Sequence, residues 1–93
     1  VVVYIQAQEN YVRICYLENG RPKDYVLRST MVAIAPLMEH YGFIRCLRSY
    51  YVNPSHIVAL LRDRDDVFSA ELDVPDTVIP ISKRIYQEMS ERL

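Results

Sequence analysis

The pair Asn19-Gly20 constrains this chain more than any other feature, because it stands between two runs of β character, Tyr11 to Leu17 and Lys23 to Arg28. Asparagine and glycine adopt the positive φ angles of a tight two-residue turn at little cost, so the two runs are expected to pair as an antiparallel hairpin. Strand side chains alternate, so Tyr11, Arg13 and Cys15 are expected on one face and Val12, Ile14 and Tyr16 on the other. Gly20 and Gly42 are the only glycines in 93 residues, which leaves the other reversals to Asn, Asp, Pro and Ser.

The remaining elements follow from the same signals. Val1 to Gln6 is β-branched and aromatic without a polar break, which predicts a buried strand, and Gln8-Glu9-Asn10 interrupts it. Ser29 or Thr30 caps a helical stretch that runs to about Tyr41 and is ended by Gly42. Pro36 lies inside that stretch and lacks a backbone donor, so the stretch either kinks there or begins its regular helix close to Pro36. Phe43 to Arg48 reads as a strand, and Asn53-Pro54-Ser55-His56 as one short helical turn. Ile57 to Leu61 and Val67 to Leu72 flank a turn at Arg62–Asp66. Pro75-Asp76 turns again, and Thr77 to Ile81 is the last strand. Ser82 caps a closing helix, Lys83 to Leu93, with Ile85, Met89 and Leu93 four apart on one face. Seven or eight short strands with two short helices make a mostly β fold, expected as a single domain over residues 1–93.

Composition closes off several classes. A hydrophobic fraction of 51% argues against disorder. No run of 18 apolar residues is present, so no membrane partner is expected. The start VVVYIQAQ has no basic flank and no cleavage site, so it reads as a strand cut in mid-run, as in an excised domain, and not as a signal peptide. Cys15 and Cys46 are far apart without a CxxC partner, which fits two small hydrophobic residues in a reducing cytoplasm; a redox pair requires their strands to bring the sulfurs together. His40 and His56 belong to no ligand cluster, the glycines stand alone, and no serine has a nearby histidine and carboxylate. No metal, no cofactor and no enzymatic activity are therefore expected.

The net charge is −1, but its distribution matters more than its sum. Residues 63–76 hold Asp63, Asp65, Asp66, Glu71, Asp73 and Asp76 against Arg64 alone, while the rest of the chain carries ten basic and six acidic side chains. This distribution allows a dipolar molecule with one acidic end, and equally an acidic solvated hairpin with scattered surface arginines. Nine of the eleven basic residues are arginine, whose fork suits guanine edges and phosphates.

Three segments place polar or basic side chains at strand ends bordered by apolar residues: Gln8-Glu9-Asn10-Tyr11 with Arg13 beyond, Arg45-Cys46-Leu47-Arg48-Ser49-Tyr50, and Ser82-Lys83-Arg84. The last puts two cations at a helix start, where the dipole disfavours them by roughly a few tenths of a kcal/mol unless an anion is the partner. FIRCLRSYYVNPSHI (residues 43–57) resembles the His-Arg-Ser-Tyr motif region of LytTR DNA-binding domains. VYIQAQENYVRI resembles that family's Tyr-Ile-Glu-Ala-x-x-Asn-Tyr-Val segment. VLRSTM looks like its strand leading into the helix, and IPISKRIY like its closing Ile-Pro-Val-Ser-Arg-Arg-x-Tyr. The blocks run in the family's order over nearly the whole chain.

The resemblance implies an elongated arrangement of small antiparallel sheets that binds double-stranded DNA in two successive major grooves, without a recognition helix. It implies a bacterial, cytoplasmic transcription regulator: the output half of a two-component response regulator, behind an N-terminal receiver domain, with a homodimer on direct-repeat sites. Carried over residue by residue, the contacts are Asn10 and Tyr11, then Arg48 with Ser49, then Lys83 and Arg84. Arg13, Arg45 and Lys83 are expected to neutralise phosphates, and Arg48 and Arg84 to read base edges. Tyr11 reads first as a core residue, and Tyr50, Tyr51 and Asn53 as packing and capping residues. Leu47 stands where the family has a histidine, and an upstream edge strand is expected to be missing. The competing reading is a LytTR-like protein-interaction module that has lost DNA binding, favoured by Leu47 and a pI near 6.1.

Overall fold

The computed structural model describes residues 1–92 and contains eight strands and two α-helices. Val2–Gln8 (β1), Tyr11–Glu18 (β2) and Arg21–Arg28 (β3) form a meander, Met31–His40 (α1) follows, and Ile44–Leu47 (β4) and Tyr50–Val52 (β5) make a second hairpin. A single 3-10 turn, Pro54–His56, leads into Ile57–Arg62 (β6), Phe68–Leu72 (β7) and Val78–Pro80 (β8), and Lys83–Arg92 (α2) closes the chain. The strands form two antiparallel sheets, one of order β3-β2-β1-β5-β4 and one of order β6-β7-β8. The molecule measures 36 × 29 × 24 Å.

The expected hairpin is present. Asn19 and Gly20 have φ of 54° and 75°, the signs that a type I′ turn demands. The register pairs Glu18 with Arg21 and runs without interruption to Tyr11 opposite Arg28. A register shift between Val2 and Tyr4 lets the adjacent Val3 and Tyr4 enter the same core cluster.

The five-stranded sheet is the middle of three layers. From one face Tyr4, Cys15, Cys46 and Val52, joined by Val3 at the bulge, pack against Phe68, Ala70, Leu72 and Ile79 of the smaller sheet and Ile85 and Met89 of α2. From the other, Ile5, Val12 and Tyr51 pack against Met31, Ile34, Ala35 and Met38 of α1. The expected alternation of Arg13 and Cys15 against Val12 and Ile14 follows this division. Leu93, expected on the apolar stripe of α2, lies outside the described residues.

Four expectations need correction or narrowing. Of the two readings of Pro36, a regular helix that starts close to it is excluded, since α1 begins at Met31, five residues before Pro36, and runs through the proline. Thr30, rather than Ser29, caps it, its Oγ1 accepting from the Ala33 N–H at 3.2 Å. At the other end Phe43 N–H donates to Met38 and Gly42 N–H to Glu39, with Gly42 at φ 80°, a Schellman cap. Second, Arg48 is not on a strand. The run from Phe43 reverses at Arg48–Ser49 and returns as β5, which the β character of both flanks and the absence of Gly, Pro or Asn at the turn concealed. Third, Tyr11 is not core but 52% exposed, at the open end of β2. Fourth, the acidic segment does not form one acidic end. Its two turns, Asp63–Asp66 and Asp73–Asp76, lie at opposite ends of β7, a strand itself about 13 Å long.

Tyr50, Tyr51 and Asn53 take the expected structural roles. Tyr51 is 1% exposed, and its hydroxyl donates to Glu39 at 3.0 Å. Tyr50 stacks on Tyr4 with ring centroids 6.4 Å apart. Asn53 caps the 3-10 turn by accepting from Ser55 and donates to the Val2 carbonyl.

Candidate nucleic-acid interface

The three polar segments are far apart in sequence, and backbone bonds join them at one end of the molecule. Ser82 N–H donates to the Cys46 carbonyl at 2.7 Å, which fastens the start of α2 to β4. Ala7 N–H donates to the Ser49 carbonyl at 2.9 Å, which fastens the β4–β5 turn to β1 just before the Glu9–Asn10 turn. Ser29 N–H donates to the Asn10 carbonyl at 2.9 Å, which fastens that turn to the end of β3. In space the order is therefore the α2 start, the Arg48–Ser49 turn, the Glu9–Asn10 turn and the end of β3.

Arg48 is exposed at the tip of its turn, and among the described residues its side chain has no hydrogen bond or ion pair. Ser49 beside it is half-buried. The turn is held by Arg45, whose Nε and Nη2 donate to the Arg48 carbonyl at 3.3 and 2.8 Å. Arg45 thus fixes the backbone from which Arg48 projects. Arg13 is also engaged: its guanidinium donates to the Tyr4 hydroxyl, lies 5.8 Å above that ring and has Nε 3.8 Å from Asp24. The Tyr4 bond raises its pKa above the ordinary arginine value, so it remains a cation.

At the third segment Ser82 caps α2, its Oγ accepting from Ile85 N–H at 3.2 Å. Lys83 and Arg84 occupy the first two helical positions, both exposed, with backbone donors that a helix leaves unpaired there. Arg84 Nη1 contacts Glu88 at 3.1 Å, an exposed i,i+4 pair worth about 0.3–0.5 kcal/mol, weak enough for a phosphate or base to replace. Lys83 has no ion pair among the described residues.

Asn10 is exposed in its turn and Tyr11 at the start of β2. Reasoning from sequence placed Gln8 in the same segment as Tyr11 but missed Arg28. Arg28 lies directly across from Tyr11 on β3 and Gln8 across from it on β1, both exposed. The signal was available: a two-residue turn at Asn19-Gly20 sets position sums of the hairpin to 39, which puts 28 opposite 11.

The acidic Asp63–Asp66 turn borders this end too, because Ile81 N–H donates to the Phe68 carbonyl immediately before Ser82 meets Cys46. Its carboxylates are partly committed: Asp63 accepts from the N–H groups of Asp65 and Val67, and Asp66 pairs with Arg62 at 2.8 Å.

The cysteines are free and buried, Cys15 on β2 and Cys46 on β4, three strand spacings or about 14 Å apart, well beyond disulfide reach. Burial pushes the Cys46 thiol up to about 12, so it stays neutral near pH 7 and is no nucleophile. No group of three or more metal-ligating side chains occurs among the described residues, and no described helix is long and apolar enough to cross a membrane.

Comparison with known proteins agrees with this geometry. A search of curated proteins gives no match. Among solved structures, a LytTr DNA-binding domain of a methyl-accepting/DNA response regulator from Bacillus cereus superposes with a TM-score of 0.70 at 24% identity, covering 98% of this chain and 78% of that one. At that identity the likeness establishes the fold. The family model for the LytTr DNA-binding domain matches residues 1–93, and this chain therefore belongs to the LytTR family of DNA-binding domains.

Proposed function

We propose that this chain binds double-stranded DNA by sequence, as the cytoplasmic output domain of a bacterial response regulator whose receiver domain lies upstream and which dimerises on direct-repeat sites. The observation that carries the reading is the backbone-bonded convergence of the Asn10, Arg48 and Lys83 segments at one end, with Arg48 and Lys83 left without protein partners among the described residues. Arg48 has the forked donors for a guanine O6/N7 edge and stands on a turn whose backbone is already fixed, so little ordering entropy is lost on contact. Ser49, Asn10 and Tyr11 flank it, and Arg84 is a second reader. Lys83, a point charge at a helix start, suits phosphate. Arg45 acts by positioning the Arg48 turn, and Arg13, bound to Tyr4 and near Asp24, braces β2 against β1 and β3.

The test is a titration of wild type, Arg48→Ala and Lys83→Ala against a duplex selected from a random pool and a scrambled duplex, at several salt concentrations. Arg48→Ala is expected to lose roughly 1–3 kcal/mol on the selected duplex alone. Lys83→Ala is expected to weaken both duplexes equally and lower the slope of log K against log salt by about one. A wild-type domain that binds no duplex at low salt would instead support the protein-interaction reading, in which Leu47 marks the loss of DNA contact.

A further inference from the structure

The basic end does not stop at the three segments. Arg28 is exposed at the last position of β3, forms no ion pair among the described residues, and its neighbour Ser29 is bonded to the Asn10 carbonyl. That bond makes 10 and 29 a hydrogen-bonded pair, so Tyr11 and Arg28 form a non-hydrogen-bonded pair, in which side chains stand closest, about 4.5–5.5 Å between Cβ atoms. Gln8, Tyr11 and Arg28 thus form an exposed row across three strands on one face. On the opposite flank, the Asp63–Asp66 turn sets a negative boundary beside α2, while on the β3 side Glu9 is the one acidic residue of the neighbouring turn.

Strand order fixes what Arg28 can reach. The Arg48 turn joins β5 and β4, which lie three and four strand positions from β3. At about 4.8 Å per strand this is about 14–19 Å, more than the roughly 12 Å width of a major groove. A side chain on β3 therefore stands nearest the sugar–phosphate wall that separates the groove Arg48 enters from the next one.

Building on the DNA-binding reading, we infer that Arg28 is a phosphate clamp on the β3 flank, with Tyr11 and Gln8 beside it, so that the central Arg48 turn is held in register by Lys83 on one side and Arg28 on the other. Phosphate contacts set register without carrying sequence information, and two on opposite flanks resist rotation of the domain on the duplex in a way that one cannot.

The experiment titrates wild type, Arg28→Ala and Arg21→Ala against the selected and scrambled duplexes between 50 and 300 mM salt, with thermal melting of each protein. Arg21 lies at the far end of the same strand and serves as the charge-matched control. Arg28→Ala is expected to melt with wild type, to bind both duplexes about five- to tenfold more weakly near 0.1 M salt and to lower the salt slope by about one. Arg21→Ala is expected to bind as wild type does. Unchanged affinity and slope in Arg28→Ala, with Arg48→Ala still losing its selective binding, overturns the clamp and leaves the function standing. Loss on the selected duplex alone overturns the phosphate assignment in favour of base contact. Failure of the wild type to bind any duplex overturns the function, and the clamp with it.

Discussion

Two hairpin turns of equal length do opposite work in this molecule. The Asn19–Gly20 turn has both residues at positive φ, and among the described residues no backbone bond outside its own hairpin fastens it. The Arg48–Ser49 turn has neither residue at positive φ and no glycine. It is held by side chains and by a neighbouring strand: the Arg45 guanidinium of β4 binds the Arg48 carbonyl, Ala7 N–H of β1 binds the Ser49 carbonyl, and β5 is anchored in the core through Tyr51 and Val52, 1% and 0% exposed. In the first turn residue choice is spent on backbone geometry. In the second, geometry is imposed by tertiary contacts, and the side chain at the tip is free to serve another purpose.

The contrast breaks most readily at the buried anchor of β5. Tyr51→Ala removes a buried ring and its bond to Glu39, and large-to-small aromatic changes in a core cost about 3–5 kcal/mol. The expected outcome is a large drop in the denaturation midpoint and loss of duplex binding with it. A loss below about 1 kcal/mol would mean that β5 is not what holds the Arg48 turn.

The local turn gives the converse. Gly20 has φ 75° and open space around its would-be Cβ, so Gly20→Ala strains the backbone without a clash. Placing an L-residue there costs about 1–2 kcal/mol. Stability should fall by that amount while duplex affinity stays at the wild-type value, because the turn lies at the end of the meander opposite Asn10 and Arg28. A matching loss of affinity would show that the two ends of the sheet are coupled.

The same division explains what the sequence disclosed. The β2–β3 hairpin, both helix caps and the two β7-flanking turns were legible because their residues act on the backbone next to them. Thr30, Asn19, Gly42 and Ser82 each meet a local demand. The β4–β5 reversal was not legible, since its reasons lie in residues 7, 45 and 51, and pairing with β1 decides it. Tyr11 was misplaced because an aromatic in a strand looks like core wherever the strand ends, and only the third dimension shows that no layer covers the end of β2. The candidate site followed the same rule. Motifs pointed to the segments that backbone bonds bring together, but that Arg45 supports a turn, that Arg13 leans on Tyr4, and that Arg28 lies across from Tyr11 depends on register. Of these, only the position of Arg28 could be computed from the turn.

Arg45 offers the finest test of the comparison, since two readings of it differ in kind. As a positioning residue it fastens the Arg48 carbonyl with two donors on an exposed surface, worth about 0.5–1 kcal/mol together. Arg45→Ala should therefore lower stability only slightly, because the Ala7–Ser49 and Ser82–Cys46 bonds remain. Its effect on DNA should be selective: a looser turn presents Arg48 in more orientations, so binding to the selected duplex weakens more than binding to the scrambled one, and the salt slope is kept. As a phosphate contact, Arg45 would behave otherwise, weakening both duplexes equally and lowering the slope by about one. Combining Arg45→Ala with Arg48→Ala separates the two directly. If Arg45 acts through the turn, the double variant binds the selected duplex no worse than Arg48→Ala alone, since residues in one network are not additive. If it grips phosphate, the two losses add.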